Sequence, residues 1–365
     1  MSTIYINGKF LGQPTTGAQR FALEIVLALD ALVANDQSSV LFDFCLVIPM
    51  NVKVNLPSLK NIRVIELPGF SSHLWEQISL PLFVKNSLLI NLSGSAPMLK
   101  RHQIFTIFDA AIFDLPQVYS RLFVAWYRAQ FLLQSKFCYL LLTISEFSRD
   151  RLCYHLGVSR DMFSIIPCGV DHIHKINSDE TVLAKYNLTK NRYFLAVGSA
   201  NPSKNFSFLI NAFLDLHVDQ FPVLVVVGGA NSAVFANYGV LEDERVIKVG
   251  RVDDAQLKAL YSNARAFVFP SLYEGFGIPP LEAMACGCPV IASNATSIPE
   301  VCGNAVGYFD PASPASIQNA LRRIVVDDNW RMLLQDAGRN WVLKYSWQSA
   351  AEKLLNHINE NIAQE

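Results

Sequence analysis

The sequence predicts an α/β protein made of two parallel-sheet domains, with helices on both faces of each sheet. Three observations carry that expectation. Short β-type runs alternate with helical patterns along the whole chain, the order in which βαβ units lay down a parallel sheet. The 365 residues exceed what one hydrophobic core normally holds and suit two domains of ~100–200 residues each. Midway, the polar stretch from Asp171 to Asn191 breaks the pattern, with His172, His174, Asn177, Ser178, Asp179 and Glu180 close together.

Taken in order, Ile4–Ile6 reads as a first strand, followed by a loop with Gly12, Pro14 and Gly17. Phe21, Ile25, Leu29 and Leu32 then recur at the spacing of one helical face. Further strands are expected at Phe44–Ile48, Ile62–Ile65, Leu88–Ile90, Ile104–Ile107, Leu140–Ile144 and Phe163–Ile166. The second half has more compact apolar runs, of buried-strand length, at Tyr193–Val197, Val223–Val227, Val246–Val249, Ala266–Phe269 and Pro289–Ala292. Leu209, Ala212, Phe213 and Leu216 mark an amphipathic helix between the first two of these. Ser346 can cap a closing helix whose stripe is Trp347, Ala351, Leu354, Ile358 and Ile362. The expected division is residues 1–175, residues 176–345 and a closing helix over 346–365. Open sheets of this kind bind ligands outside the C-terminal ends of their strands. A central cleft faced by both sheets is therefore the expected site.

Composition narrows the function. Hydrophobic residues make up 51% and charged residues 17%, with a formal net charge of −1, so the chain has a globular balance. Residues 1–180 hold 15 Lys/Arg against 14 Asp/Glu, leaving 15 against 17 for the rest. Neither half has the basic surface of a nucleic-acid binder. The start, MSTIYINGKFLGQ, has no basic region leading into an apolar stretch, and no run approaches ~18 apolar residues. A cytoplasmic protein is expected. The seven cysteines are scattered, and Cys286 and Cys288 lack a second pair at zinc-site spacing. They read as reduced thiols. In Arg121–Phe137 bulky aromatics mix with three cations, a combination that can lie on an anionic membrane surface. Its apolar residues cover more than one face, so a mostly buried helix is the favoured expectation.

The most informative segment runs from Phe269 to Glu282, FPSLYEGFGIPPLE. A strand ends at Phe269, a loop carries Glu274, Gly275, Phe276 and Gly277, and Pro279 and Pro280 then open a helix. Prolines cost little there because first-turn N–H groups have no helical partner. The amides of the Gly-Phe-Gly loop and the helix start form an anion site suited to phosphate. Glu274 can reach sugar hydroxyls, and Glu282 can accept two hydrogen bonds from a ribose diol. Either glutamate alone reads as favourable placement in the helix dipole; the two flanking this loop read as a site. Gly198-Ser199-Ala-Asn-Pro-Ser-Lys204-Asn205 also follows a strand. Lys204 can balance the negative charge that develops on a diphosphate leaving group. The loop ending at Gly17 is a weaker third anion site and does not fit the dinucleotide fingerprint. Asp109 and Asp114 either face the cleft or cap the next helix. No two aspartates are separated by one residue, so an Asp-x-Asp metal clamp is absent and no required metal is expected.

At these residues the chain resembles the family-4 retaining glycosyltransferases of the two-Rossmann GT-B fold. The most specific stretch is SLYEGFGIPPLEAMACGCPVIASNATSIPEVCGNAVGYFDP, Ser271 to Pro311. The family's pair of glutamates, separated by seven residues, maps onto Glu274 and Glu282, and its diphosphate-binding lysine onto Lys204, followed by Asn205. Gly250, with Arg251 after it, matches the turn near the nucleobase, and Thr16-Gly-Ala-Gln-Arg20 matches the first glycine loop. Thr143–Arg149 and Ile166–Asp171 match as well. The resemblance implies that the closing helix crosses back onto the first domain. It also implies a nucleotide-diphosphate sugar as co-substrate with no cofactor, a hexose (mannose from a GDP donor preferred, a UDP-sugar open), and a saccharide acceptor. His73-Leu-Trp-Glu-Gln-Ile-Ser-Leu-Pro81 is similar to bacterial enzymes of surface-polysaccharide and lipopolysaccharide assembly, whose acceptors are often polyprenyl-linked. Peripheral attachment at the inner membrane face goes with such acceptors.

Two departures stand out. Many relatives carry His before the aspartate that maps to Asp109, where this chain has Phe108, and many carry Arg where it has Ser199. The implied roles are catalytic for Glu274, Lys204 and Asp109. Donor-binding roles fall to Gly17, Gly198, Ser199, Lys204, Asn205, Gly250, Arg251, Gly275, Phe276, Gly277, Ile278 and Glu282. A non-catalytic sugar-nucleotide-binding partner subunit is the alternative, and an epimerase or a pyridoxal-dependent phosphorylase of the same architecture a third reading.

Overall fold

Seven parallel strands build the sheet of the first unit: β1 Ser2–Asn7, β2 Phe42–Pro49, β3 Arg63–Leu67, β4 Leu89–Asn91, β5 Gln103–Thr106, β6 Leu140–Thr143 and β7 Phe163–Ile165. The computed structural model describes residues 2–35, 42–50, 56–216, 222–228 and 243–362. Strand order is β3-β2-β1-β4-β5-β6-β7, with β1 paired in parallel to both β2 and β4. Strand order therefore reverses between β1 and β4. That reversal is the switch point of a doubly wound sheet. Ile4 and Ile6 of β1 and Leu89 and Ile90 of β4 are almost wholly shielded, as expected of strands covered on both faces.

The helix Gly17–Asn35 follows β1 and buries Phe21, Ile25, Val26 and Leu29. The closing helix, Trp347–Ile362, belongs to the same unit. Ser346 caps it, its Oγ accepting from Ser349 N at 3.1 Å. Trp347, Ala351, Leu354 and Ile358 form its buried stripe. Trp347 meets Phe21 edge-on at 6.0 Å, and a Cβ on Gly169 would lie 2.3 Å from Trp347 N. Residues 363–365, at the end of the expected closing helix, lie outside the described residues.

The second unit spans Val170–Lys344, whereas the first comprises Met1–Gly169 and Tyr345–Glu365. Its sheet contains β8 Tyr193–Gly198, β9 Val223–Gly228, β10 Val246–Gly250, β11 Ala266–Phe269, β12 Val290–Ser293 and β13 Gly307–Phe309. The order is β10-β9-β8-β11-β12-β13, again parallel, with the reversal between β8 and β11. The helix Phe206–Leu214 packs Leu209, Ala212 and Phe213, and Leu216 beyond it, against Phe194, Leu224 and Val268. Sequence reasoning did not single out β13. Only three residues long, it alternates Gly307 and Phe309 inward with Tyr308 outward.

The helix Arg121–Phe137 corrects an expectation. Its buried face carries Val124, Gln130, Phe131, Gln134 and Ser135. Gln130 donates to Ala96 O at 2.5 Å and Gln134 to Pro97 O at 2.8 Å, so two amides occupy a face expected to be apolar. Leu122, Phe123, Trp126, Leu132, Leu133 and Phe137 are left exposed, Leu122 by 85%. All seven cysteines are free. Burial pushes the Cys138, Cys286 and Cys302 thiols up to about 12, which keeps them protonated and unreactive at neutral pH.

Candidate active site

The switch point of the second sheet gathers most of the residues singled out above. After β8 the chain passes through Ser199 and Asn201 into a short 3-10 turn, Pro202–Lys204. Asn201 Oδ1 accepts from Ser203 N at 2.9 Å, fixing the turn's start. Asn205 takes a left-handed conformation, φ 59°, and its Nδ2 donates to Pro311 O at 2.9 Å. Lys204 is thereby aimed at the loop after β11, the neighbouring strand. Its Nζ donates to Glu274 Oε1 at 2.6 Å. The Lys204 side chain is 22% exposed and that of Glu274 11%. The pair is partly desolvated yet open to an incoming ligand.

Close approach of backbones shapes this corner. Gly228, at the end of β9 with φ +89°, has no room for a side chain, since a Cβ would fall 2.1 Å from Gly198 O. On the other loop Gly277, φ +100°, caps the helix Ile278–Ala285 in a left-handed conformation open to glycine. Phe276 is buried, as are Gly275 and Gly277 beside it, while Ile278 is half-buried. Leu272 N donates to Ser203 O at 2.8 Å, tying the two loops together.

Two residues that sequence reasoning missed hold Glu274 in place. Thr296 Oγ1 accepts from Glu274 N at 3.1 Å. Ser297 Oγ donates to Glu274 O at 2.9 Å and contacts Phe276 O at 3.2 Å. Thr296 has φ 55°, a costly conformation for a β-branched residue that persists only where its surroundings enforce it. Both follow β12, the strand beside β11. Nothing in their spacing marked them, because their role lies in contacts with the loop after β11.

Glu282 lies on the helix Ile278–Ala285 with partners of its own. His172 Nε2 meets its Oε1 at 3.2 Å, and Tyr261 Oη donates to its Oε2 at 3.4 Å. Burial first, then the Glu282 charge, raises the Tyr261 hydroxyl well above its ordinary range, so it stays a donor. His172 came from the polar stretch read as a domain boundary, and nothing in its spacing pointed here. Gly250 and Arg251 stand at the end of β10, two strands from β8, with Gly250 at φ +77°.

The remaining candidates lie in the first unit. Gly17 opens its helix, and a Cβ there meets nothing within 4 Å, so packing does not demand a glycine. Asp109 Oδ1 accepts from Ala111 N at 2.8 Å, a local turn just before the short helix Ala111–Asp114. Asp114 is held by Arg151 Nε at 3.0 Å and His155 Nε2 at 2.7 Å. Phe108 packs edge-on against Phe21 with centroids 5.4 Å apart, apolar work that an imidazole would do poorly.

Comparison with known proteins settles the family. Residues 178–341 match the family model described as glycosyl transferases group 1. The O-antigen chain mannosyltransferase B of Escherichia coli is 31% identical over 262 residues, which are 69% of each chain. The chain belongs to the group 1 glycosyl transferases. A second relative of this transferase, the O-antigen chain mannosyltransferase RfbU of Salmonella typhimurium, is 27% identical over 98% of this chain and 99% of its own. Among solved structures, Anabaena HepE in complex with UDP-glucose superposes with a TM-score of 0.72 at 16% identity, covering 99% of this chain and all of that one. The transferase has the GT-B fold, two parallel-sheet α/β domains of seven and six strands.

Proposed function

We propose that this glycosyltransferase is a retaining enzyme that moves mannose from a nucleotide-diphosphate sugar to a saccharide acceptor during surface-polysaccharide assembly. The Lys204–Glu274 pair at the β8/β11 switch point carries the reading, and the two O-antigen mannosyltransferases above support the sugar and the pathway. Lys204 has three N–H donors, so it can bridge Glu274 and a diphosphate oxygen together. The amides of Phe276–Ile278 take the other oxygens. Glu274 orients the transferred sugar. Glu282 keeps lone pairs free beside its two internal donors and accepts from the ribose diol.

The chemistry then runs without a resident metal, since Lys204 and the turn amides carry the charge developing on the leaving diphosphate. The glycosidic carbon–oxygen bond breaks as the acceptor hydroxyl attacks the same face, and the departing phosphate oxygen takes the acceptor proton. No protein base is assigned. Gly17, in the loop matched to the family's first glycine loop, is taken in its own right as a point of close ligand approach. Gly17→Ala is expected to be neutral or up to about 1 kcal/mol more stable, while turnover falls roughly tenfold or more. Unchanged turnover in steady-state assays would remove Gly17 from the site.

The competing reading, a non-catalytic partner subunit, rests on Phe108, and its packing on Phe21 gives that ring a role compatible with activity. Donor turnover separates the two. On membrane association, no helix among the described residues is long and apolar enough to span a bilayer. The exposed Leu122, Leu132, Leu133 and Phe137 of the helix Arg121–Phe137, with Arg121 and Lys136 on the helix and Arg101 over the Phe137 ring, suit peripheral contact with anionic lipid.

The test is thermal shift and calorimetry with UDP, GDP, ADP and their sugar conjugates, with and without chelator. One nucleotide is expected to stabilise the protein selectively and regardless of chelator, with Glu282→Ala weakening it roughly tenfold, the loss of one charge-assisted hydrogen bond. Stabilisation by none of them overturns the proposal.

A further inference from the structure

The switch point of the first sheet carries a second built arrangement, which none of the donor residues uses. Asn7 ends β1, Asn91 ends β4, and Lys9 stands two residues after Asn7. Between them sits Glu76, fully buried. Its Oε1 accepts from Asn7 Nδ2 at 2.9 Å and Ser95 Oγ at 2.8 Å, and its Oε2 from Lys9 Nζ at 2.8 Å. Asn91 Oδ1 braces Asn7 at 3.0 Å. Glu76 rides on a π-helical turn, Trp75–Ser79, a rare form concentrated at functional sites. Ser72, just before it, has φ 53°, another conformation held against its intrinsic preference.

This buried group ends at the surface in one side chain. Lys9 Nζ lies 3.3 Å from His73 Nδ1, and His73 is exposed. An ammonium can only donate, so Nδ1 accepts and the ring proton sits on Nε2. His73, exposed, is thereby left with an N–H donor on Nε2. Beside it stands Trp126, 39% exposed, with ring centroids 6.3 Å apart and planes at 68°. An exposed indole next to an N–H donor matches a pyranose, whose C–H face is apolar and whose rim carries hydroxyl acceptors. A phosphate fits poorly, because the Lys9 charge is 93% shielded and already paired.

We propose that His73 and Trp126 form a saccharide subsite for the acceptor, with Lys9 and Glu76 as positioning residues that fix the imidazole. The proposal rests on the transferase reading above. It adds that acceptor recognition includes the HLWEQ segment and the helix Arg121–Phe137.

The test uses the full chain and saturation-transfer NMR titrations with methyl α-glycosides of mannose, glucose, galactose and N-acetylglucosamine. At least one glycoside is expected to bind, and His73→Ala and Trp126→Ala each to weaken it roughly tenfold, about one good contact. His73→Gln, which keeps an N–H donor, should recover most of the affinity. Nucleotide binding, titrated in parallel, should be unchanged in all three variants. No glycoside binding to the wild-type chain, or wild-type affinity in His73→Ala and Trp126→Ala, overturns the subsite. Inorganic pyrophosphate binding that is lost in His73→Ala, with no glycoside bound, overturns its saccharide assignment. Nucleotide binding alone would leave the transferase reading standing without this subsite, and the absence of both would sink the two together.

Discussion

Lys204→Ala is expected to lower turnover by roughly 10²–10³-fold, the range measured when one preorganised donor is removed from a developing negative charge. The unfolding midpoint should move little. Lys204 is 22% exposed and tethered to Glu274, so water can replace it around the carboxylate. Glu274→Gln should have a comparable effect on turnover, because Glu274 orients the sugar and holds Lys204 at 2.6 Å. Residues that act as one unit lose far less than the sum of their single losses when both are removed. Lys204→Ala/Glu274→Gln should thus be close to the worse single variant. Additive losses in a steady-state double-mutant cycle would show two independent sites, and a fully active Lys204→Ala would remove the centre of the mechanism.

Glu76→Ala should produce the largest loss of stability. It strips the counter-charge from Lys9, whose side chain is 7% exposed, takes the acceptor of Ser95 and leaves Asn7 with Asn91 alone. Breaking a buried pair from one side costs about 3–5 kcal/mol, whereas exchanging both members for apolar residues of similar volume is often close to neutral. Lys9→Met/Glu76→Leu should accordingly be more stable than Glu76→Ala alone. Urea unfolding, followed by a probe in the first unit, checks the order. A single-variant loss below about 1 kcal/mol would mean that water reaches the ammonium.

The fold was legible because each buried strand leaves a local mark. Val223–Gly228 is an unbroken apolar run, and the stripe from Trp347 to Ile358 repeats at helical spacing. Gly307–Phe309 was missed because three residues are too few for a period to show. Arg121–Phe137 was misjudged for another reason: composition says that a helix is apolar but not which face meets the core. There Gln130 and Gln134 turn inward to satisfy the carbonyls of Ala96 and Pro97. At the site, Lys204 and Glu274 could be read from their loops because each loop follows a strand. Thr296, Ser297 and the Glu76 network could not, because their meaning lies in contacts between distant segments. Asn7 and Glu76 are 69 residues apart in the chain. Asp114, which the sequence left open between a cleft-facing and a capping role, is held by Arg151 and His155.

The closing helix bears on how the protein is made. Trp347 is 2% exposed, seated against Phe21 and over Gly169 in the first unit. On a ribosome, therefore, the opening 169 residues emerge long before the segment that seals their core. The second unit, continuous from Val170 to Lys344, has all its partners at hand as soon as it leaves the tunnel. The nascent first unit must wait with the Phe21 face uncovered, and sequence separation of that size slows closure. A stop codon shortly before Trp347 would leave the second unit whole and damage the first, the part made earliest.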